Sequence, residues 1–165
     1  MSRFIMELRN VLSNHERKYL IKESNKIILS QKTLENMYQG EYPCDQTPSH
    51  LHRMDNFSDI HQKILGRVIK ETGREFGICR SWVNKLTNKN SPILHMHTHE
   101  GSDLSLVYYA KKVPFIHKGT VFKKEGVIES SQNNAILFPS FMEHAVPNID
   151  FPLDRYTLVM ELVHV

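Results

Sequence analysis

The chain has 165 residues, 40% of them hydrophobic and 24% charged, with a formal net charge of +3. That size and balance fit one folded domain over residues 1–165 with a sizeable core. No Lys/Arg run marks a nucleic-acid track, no stretch approaches the roughly 20 apolar residues of a membrane span, and residues 1–9 lack the apolar run of a secretory signal.

Cys44 and Cys79 have no CxxC spacing. They read as free thiols of a reducing compartment, so a cytoplasmic location is expected. Lys111-Lys112 and Lys123-Lys124 read as solvated strand ends.

Phe4 to Leu8 is a short predicted strand. Ser13 with Glu16 three residues later forms a capping box, which opens a helix running towards Lys26. Gly40, Pro43 and Pro48 make residues 39–48 an irregular loop. The loop from Gln39 to Asn56, with His50 and His52, reads as ordinary surface, the alternative being a segment folded over a site mouth. A second helix is predicted from near Ser58, with Ile60, Ile64, Leu65, Val68 and Ile69 on one face and Gly73 near its end. After Gly77 the texture turns to β. Candidate strands cover Ile78–Leu86, Ile93–His99, Leu104–Ala110, Thr120–Phe122, Gly126–Glu129, Ala135–Phe138, Ala145–Asn148 and Tyr156–Val163. We therefore expect a mainly β, α+β architecture, with a helical part over about residues 1–77 packed outside a β-barrel over about 78–165.

Ten histidines are the compositional oddity. His95, His97 and His99 alternate, and in a strand all three would point to one side. Two such imidazoles can share a metal, leaving coordination sites open for chemistry. Alternation alone does not decide which two. His144 follows the apolar strand 135–138 and its proline turn, where a barrel can bring a third ligand from the opposite wall. His117 and His164 read as exposed. Arg155 and Thr157, two apart on one strand face, offer a guanidinium and a hydroxyl that suit a carboxylate. The other reading is an arginine reaching solvent or pairing with Asp150 or Asp154.

In order and spacing, Trp82-Val83-Asn84, His97-Thr98-His99, Leu104 to Tyr109, Ile136 to Phe141 with His144, and Arg155-Tyr156-Thr157 resemble the iron(II)/2-oxoglutarate-dependent oxygenases. The nearest likeness is to the small prolyl-hydroxylase-like oxygenases of phages and marine bacteria, and it covers residues 47–163. The resemblance implies a double-stranded β-helix of the jelly-roll or cupin-like kind. It implies His97, His99 and His144 as ligands of Fe(II), with Arg155 and Thr157 on the distal carboxylate of 2-oxoglutarate. Asn84 and Tyr109 would join the cosubstrate site, and Trp82 and Tyr108 would line the substrate pocket. The implied reaction consumes O2 and 2-oxoglutarate, is supported by ascorbate, and hydroxylates a small-molecule or peptidyl substrate. The chain departs from the pattern in two places. His99 stands where a carboxylate is usual, leaving the ligand set one negative charge short. Leu106 stands where glycine is usual, which predicts a bulkier pocket floor. Two alternatives stay open: a cupin-like metalloprotein that does not use 2-oxoglutarate, and a catalytically inactive binding module on the same fold. Neither the substrate nor the oligomeric state is legible in the chain.

Overall fold

A computed structural model of the chain describes residues 4–35, 45–88, 95–147 and 149–165. The first strand is β1 (Met6–Leu8), and the first helix α1 (Asn14–Glu35) begins directly after Ser13. The expected capping box is present. Ser13 Oγ accepts the Glu16 N–H at 3.2 Å, and Glu16 Oε2 accepts the Ser13 N–H at 2.7 Å. The helix runs well beyond Lys26, because Leu20, Ser24 and Ile28 keep one face buried at four-residue spacing. Residues 36–44, including the predicted glycine–proline loop start and Cys44, lie outside the described residues. Asp45–Gln46 forms a short strand, β2, where the sequence predicted loop. A single 3-10 turn (Leu51–Arg53) then leads into α2 (Asp55–Thr72). This helix buries Phe57, Ile60, Ile64, Leu65 and Val68, and Gly73 closes it in the left-handed region at φ 67°.

The remaining strands are β3 (Phe76–Leu86), β4 (Leu104–Lys111), β5 (Thr120–Phe122), β6 (Gly126–Ile128), β7 (Ala135–Pro139), β8 (His144–Ala145) and β9 (Arg155–His164). Among the described residues they divide between two antiparallel sheets, a larger one in the order β1-β7-β4-β9-β3-β2 and a smaller one in the order β6-β5-β8. The expected mainly β architecture, with two helices on the outside, is what the chain adopts. Residues 95–99 are the exception. They make one isolated bridge, His97 to His144, in place of the predicted strand Ile93–His99, whose first two residues lie outside the described set. Asn148, predicted to end a strand, is also outside it.

Strand alternation sorts the larger sheet into two faces. On the outer face Val83, Leu106, Tyr108, Ala135, Leu137, Leu158, Met160 and Leu162 pack with the helix residues Leu20, Ile60, Ile64 and Val68. On the inner face Val107, Tyr109, Ile136, Phe138 and Val159 form a second cluster with Phe122 and Met142 from the smaller-sheet side. Leu106, expected on a pocket floor, therefore fills the helix-side core. Its neighbours Ser105 and Val107, one residue away on either side, face inward. Lys112 also departs from expectation: it is 7% exposed and paired with Glu129 at 2.7 Å.

Gly119 marks where the chain enters β5. A Cβ there would lie 1.9 Å from the Ile128 carbonyl oxygen, so only glycine allows the 119 and 128 backbones to approach this closely.

Candidate metal and anion site

His97 and His144 face each other across the isolated bridge and exchange both backbone hydrogen bonds, at 2.9 and 3.0 Å. Directly opposed residues of such a pair project to the same face. The His99 N–H donates to the Ser140 carbonyl at 3.0 Å, fixing the next turn of the segment on the 139–142 turn. One ring nitrogen from each of His97, His99 and His144 then lies within 4.8 Å of the others. His97 is on the solvent rim, His99 is partly buried, and His144 is buried. Among the described residues His95 is outside this cluster; its carbonyl instead faces His97 Nδ1 at 3.2 Å.

The Nδ1 partners assign the tautomers. His144 Nδ1 faces the Met142 carbonyl at 2.9 Å, and His99 Nδ1 faces Glu161 Oε1 at 2.7 Å. Oxygen acceptors of this kind take an N–H, so in each neutral ring the lone pair is on Nε2. His99 Nε2 and His144 Nε2 are 3.1 Å apart. Two lone pairs at that separation repel unless a cation lies between them. Two imidazole nitrogens at right angles on a metal, each about 2.1 Å from it, would be about 3.0 Å apart. The donor set therefore fits a divalent transition ion. Burial between Phe122 and Phe138, opposed by the hydrogen bond to Met142, pushes the His144 imidazole down to about 4. It is thus neutral and able to bind a metal across the physiological range.

The inner face of β9 carries Arg155, Thr157, Val159 and Glu161 at two-residue spacing. Arg155 is 1% exposed, and among the described residues its buried Nε, Nη1 and Nη2 have no hydrogen-bond partner. Its guanidinium lies over the Tyr109 ring, 5.3 Å from the centroid. The pairing with Asp150 or Asp154 considered from sequence is not formed. Burial disfavours the cation, with Tyr109 and Glu129 opposing that effect only in part. A buried, unpaired guanidinium is costly, and a dianionic ligand would supply the missing acceptors. Thr157, 1% exposed, pairs across the sheet with Asn84 on one side and Tyr109 on the other. The Tyr109 hydroxyl shares a 2.7 Å hydrogen bond with Thr120. Trp82 shares the Asn84 face, and its ring is 5.7 Å from that of His99.

No family model matches the chain, and no curated protein sequence does either. Solved structures do match over nearly its whole length. The viral collagen prolyl hydroxylase of Paramecium bursaria Chlorella virus 1, in its 2-oxoglutarate complex, aligns with a TM-score of 0.69 at 12% identity, covering 99% of this chain and 98% of its own. The non-haem α-ketoglutarate-dependent epimerase SnoN of nogalamycin biosynthesis aligns at 0.74 and 11% identity, covering 97% of this chain and 78% of its own. HygX of Streptomyces hygroscopicus, with nickel and 2-oxoglutarate bound, aligns at 0.67 and 9% identity, covering 98% and 82%.

The fold is that of the 2-oxoglutarate–iron(II) oxygenases. On this oxygenase fold two expectations need correction. Tyr108 belongs to the helix-side core, and its hydroxyl donates to Asn133 Oδ1 at 2.8 Å, so it does not line the pocket. His117 is 3% exposed; its Nδ1 accepts the Val113 N–H at 3.1 Å, and its Nε2 donates to the Leu153 carbonyl at 2.7 Å. It pins two loops together and is not a surface residue. His164 is exposed, as expected.

Sequence reasoning missed Glu161, which is 1% exposed and is held by His99 and by the Arg80 Nε–H. Burial would raise its carboxyl, but the hydrogen bonds and charges of His99 and Arg80 outweigh it and hold the group below the ordinary carboxylate range. The signal was available. Counting by twos from Arg155 reaches Glu161, a carboxylate in an otherwise apolar run.

Proposed function

We propose that the protein is an iron(II)- and 2-oxoglutarate-dependent dioxygenase that hydroxylates a small-molecule or peptidyl substrate. The observation that carries this reading is Arg155, a buried guanidinium that has no partner among the described residues and shares a strand face with the carboxylate that holds His99. It gives Arg155-x-Thr157 the task that a cupin-like reading leaves unassigned.

In this reading His97, His99 and His144 would hold the iron, with the lone pairs of the His99 and His144 rings on Nε2. The chemistry supplied by iron(II) and 2-oxoglutarate is the coupled oxidation in which O2 converts 2-oxoglutarate to succinate and CO2 and inserts its other oxygen atom into a substrate C–H bond. Arg155 would receive the distal carboxylate through charge-assisted bonds, with Thr157 beside it. Tyr109 supports the guanidinium from below, and Asn84 extends the polar row. Val107, Ile136, Phe138 and Val159 keep water from the cosubstrate cleft. Trp82, next to His99, borders the space left for substrate. Ascorbate would keep the metal in its divalent state.

Purified protein given Fe(II), ascorbate, oxygen and 2-oxoglutarate is expected to form succinate slowly without a substrate and faster with the right one. Absence of succinate across a panel of peptides and small molecules, from protein shown to bind the metal, would favour the inactive-module alternative.

A further inference from the structure

The oxygenase reading leaves one problem, the charge of the ligand set. Three neutral imidazoles would surround a divalent cation where most of the wider oxygenase superfamily has a carboxylate among the ligands. The inner face of β9 holds an anion beside the replaced position. Glu161 Oε1 is 2.7 Å from His99 Nδ1, and the carboxylate is 1% exposed in a strand whose neighbours Val159, Met160 and Leu162 are apolar. A carboxylate buried there for packing alone would be a poor choice, because an apolar side chain of similar volume would avoid its desolvation cost.

Three features place it deliberately. The unbroken β3–β9 ladder from Leu86 to Arg80 places Arg80 directly opposite Glu161, on the face of Trp82 and Asn84, and the register irregularity falls just beyond this pair, between Arg80 and Ile78. The Arg80 Nε–H donates to Glu161 Oε2, while its Nη2 reaches the Glu100 carbonyl at 3.2 Å, in the turn just after His99. Oε1 therefore faces the His99 ring, while Oε2 accepts from an arginine that also holds the His99 turn and from the Cys79 thiol at 4.0 Å.

We infer that Glu161 is a positioning residue of the metal centre and supplies from behind His99 the negative charge that the ligand set lacks. This inference rests on the proposed metal site. Accepting the Nδ1–H fixes the ring with Nε2 towards the ion, and drawing on that proton makes the ring a stronger donor. The pairing also explains how histidine can occupy the usual carboxylate position: the acid has moved one shell outward and kept its electrostatic task. If position 99 carried aspartate, two carboxylates would crowd one site, so residues 99 and 161 form a matched pair.

The test uses the full-length metal-free chain titrated with Co(II), monitored by calorimetry and by the visible spectrum of the bound ion. Glu161→Gln keeps a hydrogen-bond acceptor but removes the charge, and Glu161→Met removes both. We expect Co(II) binding to weaken about 10-fold in the first and nearer 100-fold in the second, with an altered ligand-field spectrum. His99→Asp should bind worse than His99→Asp/Glu161→Gln, because the second change relieves the repulsion. A purely structural carboxylate would give no such reversal, and the comparison holds even if Glu161→Met does not fold. Wild-type affinity and spectrum in folded Glu161→Gln, with no recovery in the double variant, would overturn the inference and leave the metal site standing. Failure of the wild-type chain to bind Co(II) would overturn the metal site itself.

Discussion

His95, His97 and His99 alternate along the chain, yet His97 and His99 share a cluster with His144 and His95 does not. The backbone accounts for the division. His97 exchanges two hydrogen bonds with His144, and His99 is tied to Ser140. His95 lies before this anchored segment, and its contribution is the carbonyl facing His97 Nδ1. A side chain outside the cluster should be dispensable. His95→Ala is expected to keep stoichiometric Fe(II) or Co(II), because the change preserves that carbonyl, whereas His144→Ala is expected to lose it. Metal analysis of protein purified without chelator checks both. Loss of metal in His95→Ala equal to that in His144→Ala would move the site.

At the scale of elements, the parts legible in the sequence were those written in periodicity. The capping box at Ser13, the apolar face of α2 and most strands of the larger sheet followed from local spacing. Helix α1 ran longer than expected because burial continues along one face through Leu20, Ser24 and Ile28, a tertiary effect that no local stop signal records. The HxH segment failed as a strand for a related reason. Alternation predicts a ladder, but one bridge and one further hydrogen bond to the 139–142 turn hold these residues. The faces of β4 were harder still. Tyr108 and Tyr109 are adjacent and chemically alike, so which one looks into the site depends on a register that only pairing with β9 fixes: Tyr109 lies opposite Thr157, and Tyr108 lies opposite Leu158. Glu161 was legible in principle through the same two-residue count that singled out Arg155 and Thr157. Its partner Arg80 shares the face of Trp82 and Asn84 by the same count, but that the two meet depends on the β3–β9 register, which local spacing does not record.

At the scale of the whole molecule, two sheets enclose a polar row within an apolar cluster, and among the described residues the helices pack on the outer face of the larger sheet. No helix among the described residues is long and apolar enough to cross a membrane. Burying polar groups inside makes stability depend on pH. His144 and His61 are both pushed by burial from an ordinary value of 6.5 to about 4, His61 with its Nδ1 on the Phe57 carbonyl at 2.8 Å. Between those limits the unfolded chain takes up protons that the fold refuses. Stability is therefore full above pH 6.5 and falls as the pH drops towards 4, at about 1.4 kcal/mol per pH unit for each histidine at most. Glu7, Glu129 and Glu161, held below their ordinary 4.5, add further losses below that value. Chemical denaturation of the metal-free protein between pH 7 and 5 is expected to show this decline; a flat profile would mean that the two histidines are not buried neutral.

The central claim is that one cleft joins a metal held by His97, His99 and His144 to a dianion held by Arg155. Anaerobic calorimetry of 2-oxoglutarate titrated into metal-loaded wild-type protein and Arg155→Ala tests it most directly. The account predicts one cosubstrate per chain for the wild type, binding at least about 10-fold weaker in Arg155→Ala, and unchanged metal affinity in that variant. Equal 2-oxoglutarate binding by both proteins, or none by the metal-loaded wild type, would contradict it.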